Sequence, residues 1–262
     1  MPQHGGIFGA REPVSHLVWC RRRGHRHAWR LIGLGGAEFR LPLLIGAFRF
    51  AALQAVILNK AMSLVVVASA LPFRAATVPF SAIAAHWSII ANLLAGSLLG
   101  AWFGASWATR VASDTLYRVI AVLLIAIAIV LVIGHNTAAS GALLTGAAQM
   151  VAGIVAGFVI GIMAALLGVA GGELLIPTLV LLFGADIKLA GSISLAVSLP
   201  TMLVGFARYS QDRSFVVLRE RRGFVVAMAT DSIAGSFIGG RLLGLVPSPV
   251  LLPLLVSAGF QL

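Results

Sequence analysis

The chain has little charge and very little acid. Charged residues make up 10% of 262, and Asp and Glu together number 8. Soluble domains carry about 25% charged residues, so a water-exposed globular surface is excluded. Cysteine is also nearly absent: Cys20 stands alone, which rules out an internal disulfide. His16, Cys20, His25 and His27 lie close in sequence but form neither a CxxC nor an HxxxH pattern, so a zinc site is not expected, and no cofactor motif is present. Alternating segments of about ten residues, the mark of a membrane barrel, are missing. Residues 1–30 contain no apolar core of the roughly 7–15 residues that a signal peptide requires, so no cleaved leader is expected.

What remains is apolar. Hydrophobic residues reach 60% and mean hydropathy is +1.01. Apolar runs at 116–134 and 141–167 meet the length of about 20 residues that a bilayer demands. The expected class is an all-α polytopic membrane protein with seven to eight transmembrane elements. Apolar elements are read at 31–48, 51–71, 80–107, 116–134, 141–183, 189–209, 224–245 and 249–262. They divide into a basic arm (1–30), a first membrane repeat (31–134) and a second (141–262), all within one integral membrane domain.

The net charge of +11 would suit nucleic acid, but its distribution argues for topology instead. Thirteen of the 19 Lys and Arg fall in or beside two polar segments. One holds Arg11, Arg21, Arg22, Arg23, Arg26, Arg30, Arg40 and Arg49; the other holds Arg208, Arg213, Arg219, Arg221 and Arg222. Basic clusters flanking apolar spans mark the cytoplasmic side. The arm and the 210–222 loop are therefore expected to be cytoplasmic, with the lipid bilayer and a small anion as partners and no nucleic acid.

The sequence is organised around Gly168-Val169-Ala170-Gly171-Gly172-Glu173-Leu174-Leu175-Ile176-Pro177, which interrupts an apolar run with glycine and ends on proline. Most of it recurs as Gly33-Leu34-Gly35-Gly36-Ala37-Glu38-Phe39-Arg40-Leu41-Pro42, at an offset of 135 (Pro177 minus Pro42). Paired interrupted segments in the two halves of a transporter point to its binding site. At the same offset Asn59 meets Ser194 and Ser63 meets Ser198; at an offset of 139, Asn92-x3-Gly96-x3-Gly100 meets Asp231-x3-Gly235-x3-Gly239. Three matched elements in the same order indicate an internal duplication. Residues 7–32, the counterpart of the apolar run 142–167, hold six arginines and Glu12. A central charge costs about 2.5–3.5 kcal/mol on insertion scales, so that stretch is not expected to span, and a degenerate first helix or an inactive copy follows as an expectation.

Candidate site residues come from these motifs. Exposed amides at a helix break, together with the positive end of a helix dipole, suit an oxyanion. Gly35, Gly36, Gly171 and Gly172 are assigned to substrate binding, with Asn59, Ser63, Ser194 and Ser198 as polar side chains beside them. Pro42 and Pro177 are assigned to the helix breaks, and the second half-helix is expected to begin at Pro177. Asn92 and Asp231 are expected to be buried polar groups, and the GxxxG glycines to serve packing. Glu38 and Glu173 are expected to couple transport to protons, because taking a carboxylate out of water disfavours its charged form. The two motifs are expected to meet near the bilayer midplane. Lys60 and His86 stand behind these acids as further ionisable groups. Gly191-Ser192-Ile193-Ser194 is a weak match to an intramembrane serine protease, without a following glycine or a histidine tied to it, so an enzyme is not expected. A structural or assembly subunit and a channel are the other classes these spans would serve.

The stretch 168–209 resembles the sulfite exporter TauE/SafE family of membrane transporters, also called the toluene-sulfonate uptake permease family. The resemblance rests on its glycine cluster, the proline that follows and an Ala-rich helix with small hydroxyl residues. The first-half copy at 33–48 is similar, and the likeness covers about residues 33–262. It implies a bacterial inner-membrane carrier of two four-helix repeats that moves small sulfur-containing anions such as sulfite, thiosulfate or organosulfonates. The chain departs from three consecutive glycines, having Gly35-Gly36-Ala37 and Ala170-Gly171-Gly172.

The topology is directly testable. A cysteine placed at Gln211 in a Cys20→Ser background should resist an impermeant thiol reagent applied to intact cells and react after permeabilisation. Ready labelling from outside would reverse the assigned orientation.

Overall fold

The computed structural model describes residues 37–46, 48–75, 80–134 and 144–230, with Ile233 alone beyond them. Every regular element among these residues is helical. They are α1 (Ala37–Gly46), α2 (Ala52–Ala75), α3 (Phe80–Ala84), α4 (Trp87–Ala108), α5 (Ser113–Gly134), α6 (Gly146–Leu167), α7 (Gly172–Phe183) and α8 (Ile187–Tyr209). A 3-10 turn (Arg213–Val216) and the short α9 (Val217–Glu220) lead into α10 (222–230). Ala52–Ala70 of α2, the whole of α4 and α6, and Leu189–Tyr209 of α8 are each long and apolar enough to cross a membrane. The helical membrane class expected from composition is therefore present. The arm 1–30 with its histidines and Cys20, the glycines 33–36, Asp231, Gly235, Gly239, His135 and the element at 249–262 lie outside the described residues.

The most extensive packing joins α4 to α6. Each helix carries glycines four apart, Gly96, Gly100 and Gly104 on α4 and Gly153, Gly157 and Gly161 on α6. A Cβ on Gly96, Gly100 or Gly161 would collide with the carbonyl of Ile154, Phe158 or Ser97 respectively. Lipid tails offer no hydrophobic gain for helix pairing, so close backbone approach through small residues is the available route to dispersion energy. Gly96 faces Ile154, Gly100 faces Phe158 and Gly104 faces Ile162, so the two helices run in the same direction. Their outer faces expose Leu99, Trp102 and Phe103 on α4 and Val151, Val155 and Val159 on α6, a composition suited to lipid contact.

α8 lies across this pair. Ser97 Oγ and Thr201 Oγ1 share a buried hydrogen bond of 2.8 Å, and Arg208 Nε donates to Ser106 Oγ at 2.8 Å while its guanidinium stacks over Trp102. α2 fills the remaining side and contributes the largest share of the core, including Ala55, Val56, Ile57, Leu58 and Met62. The start of α2, the start of α5 and the ends of α4, α6 and α8 gather at one end of the bundle. Tyr117 OH donates to the Phe50 carbonyl there at 3.1 Å. The same end carries the basic residues Arg213, Arg219, Arg221 and Arg222.

Several boundaries differ from the sequence reading. α2 continues through Arg74 to Ala75, and the expected run at 80–107 is two helices separated at Ala85 and His86. The prolines do not mark the breaks. α7 starts at Gly172 with Pro177 inside it, and Pro42 likewise lies inside α1. Each proline is the sixth residue of its helix, so it deletes only the hydrogen bond to the carbonyl of the second residue, a modest loss that membrane helices tolerate. The helix starts themselves keep the sequence offset: Ala37 to Gly172 and Ala52 to Ile187 are both 135 residues.

The α4–α6 contact yields a stability test. Gly100→Ala should cost ~1–3 kcal/mol or more through overpacking, read as a lower unfolding temperature in detergent. Gly223→Ala, with nothing within 4 Å of the new Cβ, should be neutral or stabilising. Equal effects would contradict the packing.

Candidate functional site

α6 ends at Leu167 because Gly168 turns into the left-handed region at φ 68°, followed by Gly171 at φ 77°. Only glycine occupies that region without steric cost. Gly168 is also pressed onto the Val56 carbonyl of α2, which leaves no room for a side chain. The left-handed turn recovers two carbonyls through the main chain: Gly168 N–H donates to Ala165 O at 3.2 Å and Val169 N–H to Ala164 O at 3.1 Å.

A helix end within apolar surroundings has no water to satisfy its last carbonyls. Neighbouring helices supply the donors. From α2, Asn59 Nδ2 donates to Leu167 O at 2.9 Å and Lys60 Nζ to Ala164 O at 2.9 Å. From α8, Tyr209 OH donates to Ala165 O at 2.9 Å. All three side chains are fully buried. The carbonyl side of the break is thus heavily capped.

The amide side is not. Leu174 N–H and Leu175 N–H both turn back to Gly171 O, at 3.2 and 3.0 Å. The N–H groups of Ala170, Gly171, Gly172 and Glu173 have no acceptor among the described residues. Four consecutive free amides at the start of α7 add their partial positive charge to the helix dipole, the arrangement that binds anions. Gly171 is buried and lies against Ile160 and Ala164, and Gly172 has Ser194 Oγ as its nearest side-chain neighbour. Ile160 lies seven residues before the end of α6, so at 1.5 Å per residue the break reaches about 10 Å inward. From the break α7 runs back along α6 to its far end, where Gln149 Nε2 donates to Leu182 O at 2.8 Å.

The remaining expected site residues divide. Ser194 sits beside Gly172 but donates to its own helix at Gly191 O, 2.9 Å away. Ser198 is buried and its hydroxyl has no partner among the described residues. Ser63 accepts a 3.0 Å bond from Arg40 NH2 on α1, one helical turn from Asn59. Glu173 is half-buried in the first turn of α7, where a negative charge complements the dipole. Glu38 lies in the first turn of α1, with its side chain outside the described residues, as are Gly35 and Gly36. Asn92 is half-buried rather than buried; its Nδ2 donates to Met150 O at 2.9 Å and ties α4 to α6. Sequence reasoning did not find Tyr209, the Ser97–Thr201 pair or the glycine row at 153, 157 and 161, and gave Lys60 a secondary place. The apolar cleft of about 410 Å³ between α5, α6 and α7, lined by Ile127, Val159, Met163 and Leu181, offers an anion no charge or free donor.

The family model for Sulfite exporter TauE/SafE matches residues 30–261. No curated protein and no solved structure gives a significant match to the chain.

The capping bonds predict graded costs. Asn59→Leu leaves the Leu167 carbonyl without that donor and should cost ~1–3 kcal/mol. Tyr209→Phe should cost about 1 kcal/mol, since Gly168 N–H still serves Ala165 O. Thermal unfolding in detergent measures both, and a neutral Asn59→Leu would contradict the capping role.

Proposed function

Because the chain belongs to the sulfite exporter TauE/SafE family, a family of membrane anion transporters, we propose that it carries a small sulfur-containing oxyanion, such as sulfite, thiosulfate or an organosulfonate, across the bacterial inner membrane. The observation that carries this reading is the row of free amides from Ala170 to Glu173, opposite a carbonyl end already capped by Asn59, Lys60 and Tyr209. Free amides in a row at the positive end of a helix dipole favour an anion over a cation. Sulfite and sulfonates present several oxygens to such donors at once, which suits a curved row of amides better than a single side chain does.

At the 135-residue offset Gly36 is the first-half counterpart of Gly171, Asn59 of Ser194 and Ser63 of Ser198, while Gly35 and Ala37 fall opposite Ala170 and Gly172. The common offset of the helix starts supports that duplication. Proton coupling through Glu173, with Glu38 as its counterpart, belongs to the same proposal. Glu173 follows the free amides directly, so its charge and that of the anion oppose each other, and protonating the carboxylate as the anion arrives removes the repulsion.

Two variants test the reading in proteoliposomes with radiolabelled anion. Gly172→Leu fits the backbone, since a Cβ there has only Ser194 Oγ, 4.0 Å away, and its side chain would cover the amides. Transport should fall by about tenfold or more, which corresponds to ~1.4 kcal/mol of lost binding, while the protein remains inserted. Gly171→Leu should act in the same direction with added strain at φ 77°. Normal transport by Gly172→Leu would remove the site. Separately, Glu173→Gln should move the anion without responding to an imposed pH gradient. A wild-type pH response in that variant would leave Glu173 as a helix cap only.

A further inference from the structure

Lys60 is the most conspicuous charge that the break does not require. It lies near the middle of the apolar span Ala52–Ala70 and is fully buried. Its one hydrogen bond goes to Ala164 O, which already accepts Val169 N–H at 3.1 Å. The carbonyl would be satisfied without the lysine. Among the described residues no carboxylate pairs with Lys60. A lysine inside the bilayer costs about 2.5–3.5 kcal/mol on insertion scales, and an ammonium has three donors, of which this one uses a single one. At offset 135 its counterpart in the second half is Leu195, so the duplicated framework folds with an apolar side chain at this position.

The amine also lies on a line of polar groups. Gly205 is its neighbour on α8: a Cβ there would stand 3.1 Å from Lys60 Cε and 3.3 Å from Nζ. Gly205, Thr201, Ser198 and Ser194 share one face of α8, spaced four, three and four residues apart. Thr201 is bonded to Ser97, and Ser194 to its own helix beside Gly172. Ser198, midway, is buried with an unpartnered hydroxyl. A buried donor left unsatisfied costs free energy, and a ligand that accepts from it recovers that cost.

We propose that Lys60 is the positive charge that receives the transported oxyanion, and that the α8 face from Gly205 to Ser194 carries it past the Ser198 hydroxyl to the free amides at Gly172. The inference rests on the transport reading above and adds to it a charge-bearing residue and a path. In the structure Lys60 is held against Ala164 O; the anion competes for its ammonium with that one neutral carbonyl.

The test is sulfite, thiosulfate and p-toluenesulfonate transport by the full-length protein in proteoliposomes, with KM and kcat separated. Lys60→Met should raise KM for the transported anion by at least tenfold, and Lys60→Arg should restore it to within about threefold of wild type. Ser198→Ala should keep or raise the unfolding temperature while lowering kcat/KM severalfold, which a merely structural hydroxyl would not do. If the wild type moves none of the three anions, the transport reading and this one fall together. If the wild type is active and Lys60→Met or Ser198→Ala transports with unchanged KM and kcat, only the assignment made here is overturned. Should Lys60→Met fail to insert, Gly205→Ala decides, since its methyl displaces the amine: a KM shift of threefold or more supports the path, and an unchanged KM contradicts it.

Discussion

A helix that stops in apolar surroundings must find donors for its last carbonyls, and the arrangement around α6 follows from that requirement. Asn59 reaches the end of α6 from α2 and Tyr209 reaches it from α8, while Lys60 adds a second donor to Ala164 O. These bonds fix the register of α2 and α8 against α6, while Gly168 allows α2 to approach closely enough for them to form. α4 is then held to α6 by facing glycines and to α8 by the Ser97–Thr201 bond. The break is thus the point at which three spans are locked together.

The two sides of the break are chemically unequal, and the inequality carries the functional argument. The carbonyls of Ala164, Ala165 and Leu167 are capped by side chains, whereas the amides from Ala170 to Glu173 have no acceptor among the described residues. A row of free amides at the positive end of a helix dipole favours negative charge before any residue-specific contact is considered. Lys60 and Arg40 add positive charge on the first-half side, at positions where the second half has Leu195 and Leu175.

Much of this was legible in the sequence, for identifiable reasons. Glycine in an apolar run has few uses, so Gly168 and Gly171 pointed correctly to the break. Proline misled: it is prominent in a sequence, yet the conformations that end α6 are left-handed ones, and Pro177 instead falls inside α7. The packing of Gly171 against Ile160 and Ala164 was not legible, because it depends on how the chain folds back along α6. Tyr209 looked like the end of a span, and only the fold brings its hydroxyl to a carbonyl 44 residues earlier. The glycines at 153, 157 and 161 were hidden in an Ala- and Val-rich run in which small residues are common. Lys60 was noticed as a charge in an apolar helix, but its value rests on the absence of a carboxylate beside it among the described residues, a three-dimensional fact.

The central claim is that an anion binds at the free amides beside Ser194. With Cys20 replaced, Ser194→Cys would carry the only thiol, next to Gly172. Its rate of reaction with a small cationic methanethiosulfonate reagent, in membranes with and without p-toluenesulfonate, tests the claim most directly. The account predicts labelling slowed severalfold by the sulfonate and unaffected by gluconate at the same ionic strength. A rate that the sulfonate leaves unchanged, or a thiol that never reacts, would contradict it.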